Sequence, residues 1–182
     1  MRTRLAAAAL ALLAALPSSA LADWGGTSQG TYAVGGSLLY EPKTVDGSRL
    51  TLEGHGGMYL LDAFLLGGSA AYSDDEVFTS REAAALAQYH FLDPLVTDEE
   101  GRPYAVSPYV GARLGVVSGE NYKKDDLGLL AGLRLGLDVF LTQKVALDFM
   151  LDLDVSTAHA FPDDYAMKTS RIIFRIGLDF HF

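Results

Sequence analysis

The sequence predicts an all-β fold, an eight-stranded antiparallel up-and-down barrel, and three observations carry that prediction. Apolar and polar residues alternate with period two along much of the chain, which is typical of strands with one apolar face. Polar or tight connections separate eight such runs. The length of 182 residues suits a single barrel domain.

The three most C-terminal runs give the clearest pattern. Apolar residues fill every odd position from 127 to 141, every odd position from 145 to 155 and every even position from 172 to 182. None of these positions is charged. A helix would scatter the same residues around its circumference, so we predict strands six, seven and eight here.

Five weaker runs lie upstream, and the segment 81–92 is ambiguous among them. The predicted strands are Thr31–Tyr40, Arg49–Leu60, Ala63–Tyr72, Arg81–Leu92 and Tyr104–Val117. Residues 82–86 read Glu-Ala-Ala-Ala-Leu, which is good helix sequence, so strand and helix both stay open for 81–92. Pro108 lies inside the fifth run and removes one ladder hydrogen bond.

The connections alternate in length, with one exception. Glu41–Ser48, Ser73–Ser80, Ser118–Asp126 and Ser156–Ser170 are long and polar, whereas Leu61–Ala63 and Thr142–Lys144 are tight. Asp93–Pro103 breaks the alternation because it is long where a short turn is expected. Short turns at one end and longer loops at the other are typical of outer-membrane barrels.

The first 22 residues have the organisation of a secretory signal peptide. Arg2 and Arg4 precede the 12-residue Ala/Leu run Leu5–Leu16, and Ala20-Leu21-Ala22 forms a small-x-small cleavage site. We predict cleavage between Ala22 and Asp23. The expected organisation is a signal peptide over 1–22 and one barrel domain over 23–182.

Charge and cysteine content exclude several classes of protein. The formal charge of −9 argues against a nucleic-acid partner, which calls for a basic patch. The absence of cysteine removes disulfides, thiol nucleophiles and thiolate metal sites. No window reaches the roughly 18 consecutive apolar residues of a membrane helix. We predict no cofactor.

Period two alone does not say which face of the barrel is apolar. The charge-free face is large, as lipid requires, and the opposite face is rich in glycine and in ionisable groups of both signs. These observations favour a transmembrane barrel in the cell outer membrane, with outer-membrane lipid as a partner and a polar lumen too narrow for a diffusive pore. A soluble periplasmic barrel of lipocalin type, binding an apolar ligand inside, is the alternative. The predicted lumen network consists of Glu53, His55, Arg113, Arg134, Asp138, Asp148, Asp152, Arg175 and Asp179.

The tight turn around Gln143 predicts a register for strands six and seven. Symmetrical pairing about that residue places Arg134 opposite Asp152 and Asp138 opposite Asp148. A slip by two residues brings Arg134 to Asp154 instead. In both registers Arg134 meets a carboxylate across the strands, which cross-strand pairing favours.

The last eight residues resemble a known signal. Arg175-x-Gly177-x-x-Phe180-x-Phe182 is similar to the C-terminal assembly signal of bacterial outer-membrane proteins. The mature chain also resembles the small barrels of the OmpX and opacity-protein type in length and strand count. This resemblance implies insertion by the barrel-assembly machinery and a Gram-negative outer membrane.

The sequence predicts a non-enzymatic protein with a structural or surface-interaction role. His159 lies near Ser156 and Asp163, but no lipase or deacylase motif surrounds them; a lipid-modifying enzyme is therefore only an alternative. His55 and His90 face inward without a third ligand, so we predict no metal site. Acidic clusters in the predicted loops, at residues 74–76, 125–126 and 163–164, are candidates for surface contacts.

Overall fold

The computed structural model describes seven stretches of the chain: residues 27–44, 47–74, 78–91, 106–121, 124–142, 144–162 and 167–182. The predicted signal peptide and its cleavage site between Ala22 and Asp23 lie outside them. These stretches contain no helix long and apolar enough to cross a membrane.

Eight long strands close into an antiparallel barrel, which confirms the predicted fold class. In chain order the strands of the described residues are β1 (Tyr32–Thr44), β2 (Gly47–Leu61), β3 (Phe64–Asp74), β4 (Phe78–His90), β5 (Val106–Asn121), β6 (Lys124–Thr142), β7 (Val145–Ser156), β8 (Phe161–Pro162), β9 (Met167–Lys168) and β10 (Ser170–His181), and all of them except β8 and β9 belong to the barrel. Around the barrel the order is β1-β10-β7-β6-β5-β4-β3-β2. The short strands β8 and β9 form a separate hairpin between β7 and β10.

The first and last strands of the barrel pair with each other and close the sheet. The β1–β10 register runs from Ala33 opposite His181 to Leu38 opposite Ile176. The Tyr32 N–H donates to the Phe182 carbonyl at 2.9 Å, and the Phe182 N–H donates to the Tyr32 carbonyl at 2.8 Å. Over these six residue pairs the two strands that would otherwise be the free edges of the sheet satisfy each other.

The ambiguous segment 81–92 forms a strand up to His90. β4 pairs along its length with β3 on one side and with β5 on the other. Its buried residues alternate through Glu82, Leu86, Gln88 and His90. Pairing on both sides therefore overrides the helix propensity of the alanine run, as tertiary context commonly does.

Pro108 is accommodated near the start of β5. Its carbonyl accepts a hydrogen bond from the Phe91 N–H at 2.9 Å, just beyond the end of β4. In an antiparallel ladder the N–H and C=O of one residue point to the same neighbour. The hydrogen bond that proline cannot donate is therefore lost only at the end of the β4–β5 ladder.

Three of the predicted loops are wrong in extent, because their residues continue the strands. The predicted connections 41–48, 73–80 and 118–126 reduce to residues 45–46, 75–77 and 122–123 between strands. Asp125 and Asp126 consequently lie in β6 rather than in a loop. Backbone pairing needs no apolar side chain, so the ladder extends beyond the apolar part of each strand. The predicted Asp93–Pro103 connection lies outside the described residues.

The apolar face of the barrel points outward and the polar face points inward. Large apolar side chains are exposed along every long strand; Leu127 is 75% exposed, Ile172 76% and Leu129 64%. Charged side chains of the opposite face are buried, and Arg134, Asp152 and Arg175 have no exposed surface. A soluble barrel of lipocalin type requires the reverse arrangement, so that alternative is wrong.

Proline at position 176 is expected to prevent barrel closure. Ile176 pairs with Leu38 of β1 and with Phe149 of β7, and its side chain points outward. Ile176→Pro removes a hydrogen-bond donor from a strand that is paired on both sides, a position that proline does not tolerate in a sheet. We expect the compact band of the unboiled wild-type protein on a detergent gel to disappear, while Ile176→Val keeps it. A compact band in the proline variant would contradict the role of this ladder in closure.

Candidate functional site: the layered lumen

An ion-pair core fills the middle of the lumen. Each of its arginines contacts at least two carboxylates, and all eight groups belong to strands of the barrel wall. The core consists of Arg113, Arg134, Arg171 and Arg175 with Glu53, Glu82, Asp152 and Asp154. Four cations and four anions balance one another formally.

Arg134 on β6 clamps the carboxylate directly opposite it on β7. Its Nε donates to Asp152 Oδ1 at 2.6 Å and its Nη2 donates to Oδ2 at 3.0 Å. The same Nη2 reaches across the lumen to Glu53 Oε1 of β2 at 2.6 Å. The β6–β7 register pairs Arg134 with Asp152 and Asp138 with Asp148, so the symmetrical prediction is confirmed and the two-residue slip is wrong.

Asp152 also accepts hydrogen bonds from two further arginines. Arg175 of β10 donates to Asp152 Oδ2, and its Nη2 lies 2.6 Å from Glu53 Oε2. Arg113 of β5 donates from Nη1 to Asp152 Oδ2 at 3.1 Å and from Nη2 to Glu82 Oε2 at 3.0 Å. The core thus links β2, β4, β5, β6, β7 and β10 through charge-assisted hydrogen bonds, which are stronger than neutral ones.

An apolar plug lies above this core at the loop end of the lumen, the end that holds the β5–β6 and β7–β10 connections. Ala160 and Phe161, at the start of the β8–β9 hairpin, are buried against Val117 and Leu130. The Arg171 guanidinium lies 4.5 Å from the centroid of the Phe161 ring. Arg171 also contacts Glu82 at 2.5 Å and Asp154 at 2.8 Å, so it connects the plug to the ion pairs.

A carboxylate–histidine cluster lies on the opposite side of the core, toward the turn end of the barrel, where the short β2–β3 and β6–β7 turns are. It consists of His55, Asp138, Asp148, Asp179 and His181, all buried. His55 Nε2 donates to Asp179 Oδ2 at 3.1 Å, and the Tyr109 hydroxyl donates to Asp148 Oδ1 at 2.8 Å.

Aromatic rings fill the turn end of the lumen next to this cluster. The Tyr59 hydroxyl lies 3.2 Å from His90 Nε2, within hydrogen-bond distance, and the His181 ring stacks on Tyr59 with centroids 6.2 Å apart. The Tyr109 ring occupies the space that a β-carbon on Gly136 would need. Gly136 is therefore required by the close approach of Tyr109, which in turn holds Asp148.

All nine residues of the predicted lumen network are buried inside the barrel, at 8% exposure or less. Five of them, Glu53, Arg113, Arg134, Asp152 and Arg175, belong to the ion-pair core, and His55, Asp138, Asp148 and Asp179 belong to the cluster. Sequence reasoning missed Glu82, Asp154 and Arg171 as core members. Extending the period-two pattern one residue upstream of Ile172 would have found Arg171, because 171, 175 and 179 share a face.

The candidate catalytic and metal pairs of the sequence are not assembled among the described residues. His159 is exposed, and the Ser156 hydroxyl accepts a hydrogen bond from the Ala158 N–H at 3.0 Å, while Asp163 lies outside the described residues. His55 and His90 contact different carboxylates: His55 Nε2 lies 3.0 Å from Asp179 Oδ1, and His90 Nδ1 lies 3.5 Å from Asp138 Oδ2.

Fold and lumen together define a closed eight-stranded barrel with an apolar outer surface and an ion-paired interior. No protein-family model matches the sequence, and no curated protein matches it. Solved structures with the same fold do exist.

The N-terminal β-barrel domain of Pseudomonas aeruginosa OprF is similar, with a TM-score of 0.61 and 20% identity over 86% of this chain and 99% of that one. Neisserial surface protein A matches at a TM-score of 0.58 and 16% identity, covering 85% and 98% of the two chains. The P. aeruginosa outer membrane protein OprG matches at a TM-score of 0.53 and 12% identity, covering 88% of this chain and 99% of that one. These likenesses show a shared fold.

Truncating Arg134 is expected to destabilise the barrel strongly. Arg134→Met leaves Asp152 and Glu53 buried with one cation fewer, and removing one partner of a buried pair costs about 3–5 kcal/mol. Arg81→Met serves as the control, since Arg81 is 60% exposed and its pair with Glu120 contributes at most about 1 kcal/mol. Urea unfolding in lipid vesicles measures both. Equal losses in the two variants would contradict the proposed importance of the core.

Proposed function

We propose that this chain is an integral protein of the bacterial outer membrane, exported by the signal peptide of residues 1–22 and inserted as a closed barrel. The observation that carries the proposal is the inversion of the two faces: apolar side chains outside and ion pairs inside. An exterior of this kind is unfavourable in water, where large contiguous apolar patches drive association. Lipid is the environment that matches it.

The apolar exterior is continuous on neighbouring strands. On β6 the side chains of Leu129, Leu133 and Leu135 all point outward, and on the adjacent β5 those of Leu114 and Val116 do the same. The fold of OprG, described as an outer membrane protein, is consistent with this location.

We further propose that the barrel is structural and closed to solutes. The ion-pair core spans the lumen from Glu53 on β2 to Arg134 on β6, and the plug residue Phe161 lies above it. An eight-stranded barrel is just wide enough for side chains to fill. The lumen therefore supports rigidity rather than permeation.

The C-terminal strand is the proposed contact with the barrel-assembly machinery, through Arg175, Gly177, Phe180 and Phe182. The close approach of β1 is a separate, structural reason for glycine at position 177. A β-carbon there would lie 2.7 Å from the Gly36 carbonyl oxygen and 3.1 Å from the Ser37 β-carbon on β1. This glycine therefore serves barrel closure whether or not the assembly machinery recognises it.

The surface role is proposed to be non-enzymatic interaction at the loop end. Asp125 and Asp126 lie in β6 next to the β5–β6 connection, and Asp125 is exposed. The acidic residues 75–76 and 163–164 lie outside the described residues. Negative charge at this end favours contact with cations or basic groups.

Insertion in lipid predicts a depth-dependent cost for charge on the outer face. Leu133→Arg, in the middle of β6, is expected to lower the free energy of unfolding in vesicles by about 2–4 kcal/mol. Leu127→Arg, near the loop end of the same strand, is expected to cost about 0–1 kcal/mol. Both leucines are exposed, at 55% and 75%. Equal, negligible costs would indicate an exterior in water and would refute the membrane proposal.

Planar-bilayer recording tests the closed lumen separately. Protein that shows the compact unboiled band should produce no stepwise currents above the protein-free baseline, because charged side chains and Phe161 fill the path. Regular single-channel steps from such protein would overturn the structural role and indicate conduction. This outcome would leave the membrane location intact.

A further inference from the structure

The charge balance of the lumen changes between the ion-pair core and the carboxylate–histidine cluster. In the core each carboxylate has an arginine within 4.0 Å. No arginine among the described residues lies within that distance of Asp138, Asp148 or Asp179. Asp179 and Asp138 contact the histidines His55 and His90, and Asp148 accepts a hydrogen bond from the Tyr109 hydroxyl. Three buried carboxylates thus lie together without a permanent cation.

Asp138 is the least satisfied of the three. It is 1% exposed, and neither of its carboxylate oxygens has a hydrogen-bond partner. The nearest ion-pair contact is His90 Nδ1, 3.5 Å from Oδ2. Asp148 lies directly opposite on β7, where a second negative charge adds repulsion. A buried charge is costly unless a partner or a metal compensates it.

The topology places metal-ligand atoms next to this carboxylate. Asp179 and His181 are two residues apart on β10 and therefore point to the same side of the sheet, toward the lumen. One ligand atom from each of Asp138, Asp179 and His181 lies within 4.8 Å of the others. Ligands bound at roughly 2.0–2.2 Å from one ion are at most about 4.4 Å apart, so small side-chain rotations bring all three into range.

We propose that Asp138, Asp179 and His181 bind a divalent transition-metal cation of the zinc type. Two carboxylates and one imidazole are ligands that zinc accepts, whereas calcium and magnesium prefer oxygen alone. The ion supplies the positive charge that this part of the lumen lacks. The assignment does not depend on the membrane location of the barrel.

Neighbouring residues support the ligands. His55 Nε2 donates to Asp179 Oδ2 at 3.1 Å, and His55 Nδ1 lies 3.6 Å from Glu53 Oε1 of the core. Hydrogen bonds of this kind orient metal-binding carboxylates. Gly35 has no β-carbon to obstruct them, since that position would lie 2.6 Å from His55 Nε2. The Asp179 side chain is the most exposed of these groups and retains 10% exposure.

The test is calorimetric titration of zinc into the folded, chelator-treated mature chain in detergent. We expect one tight site per chain. Asp138→Asn and His181→Gln should each weaken it by roughly tenfold or more, the range that even supporting residues of metal sites reach. Asp154→Asn is the matched control, because Asp154 is an equally buried carboxylate that pairs with Arg113 and Arg171. Its zinc affinity should equal that of the wild type.

The unboiled gel band confirms that each variant is folded before titration. Failure of the wild type to bind zinc would overturn the proposal and indicate that Asp138 and Asp148 hold a shared proton instead. Equal binding by the wild type and by both ligand variants would overturn it too, and would assign the ion to surface acidic groups. Calcium that competes fully for the tight site would contradict the imidazole ligand.

Discussion

The pairing of β1 with β10 is the interaction on which the rest of the molecule depends. Until it forms, β1 and β10 are edges with unsatisfied backbone groups, and the inward face is open to water. Once it forms, residues far apart in sequence become neighbours: Glu53 of β2 meets Arg175 of β10 at 2.6 Å. The same closure removes water from around them, which strengthens each charged contact and penalises each unmatched one.

The interior is built on matching charge rather than on apolar packing. Buried ion pairs add little net stability over apolar residues of similar size, but breaking one is costly. The core around Arg134 and Asp152 therefore selects one arrangement of strands, because a register shift would leave several charges unmatched at once. The cluster around Asp138 is not balanced in this way, because its carboxylates have no arginine partner. It is therefore the part of the lumen that can bind a cation.

Sequence reasoning predicted what depends on local periodicity and failed where distant strands meet. The inward position of Arg134 and its pairing with Asp152 were predictable because the turn at residue 143 is tight and the strands are strongly alternating. The contact between Arg134 and Glu53 was not, since it depends on the width of the closed barrel. Glu82 was missed because an alanine run masks its strand, and the proximity of Asp138, Asp179 and His181 follows only from β7 lying between β6 and β10.

The outward face has a consequence for how such chains diverge. In the proposed membrane location a side chain such as Leu133 touches lipid, so it must be apolar but need not fit any particular neighbour, and most aliphatic replacements there are tolerated. Specific fit is required only inside, at positions such as Arg113 and Arg175. About half of every strand is then free to drift in sequence while the barrel stays the same. Sequence constraint in a barrel of this kind is therefore concentrated on alternate residues, those that face the lumen.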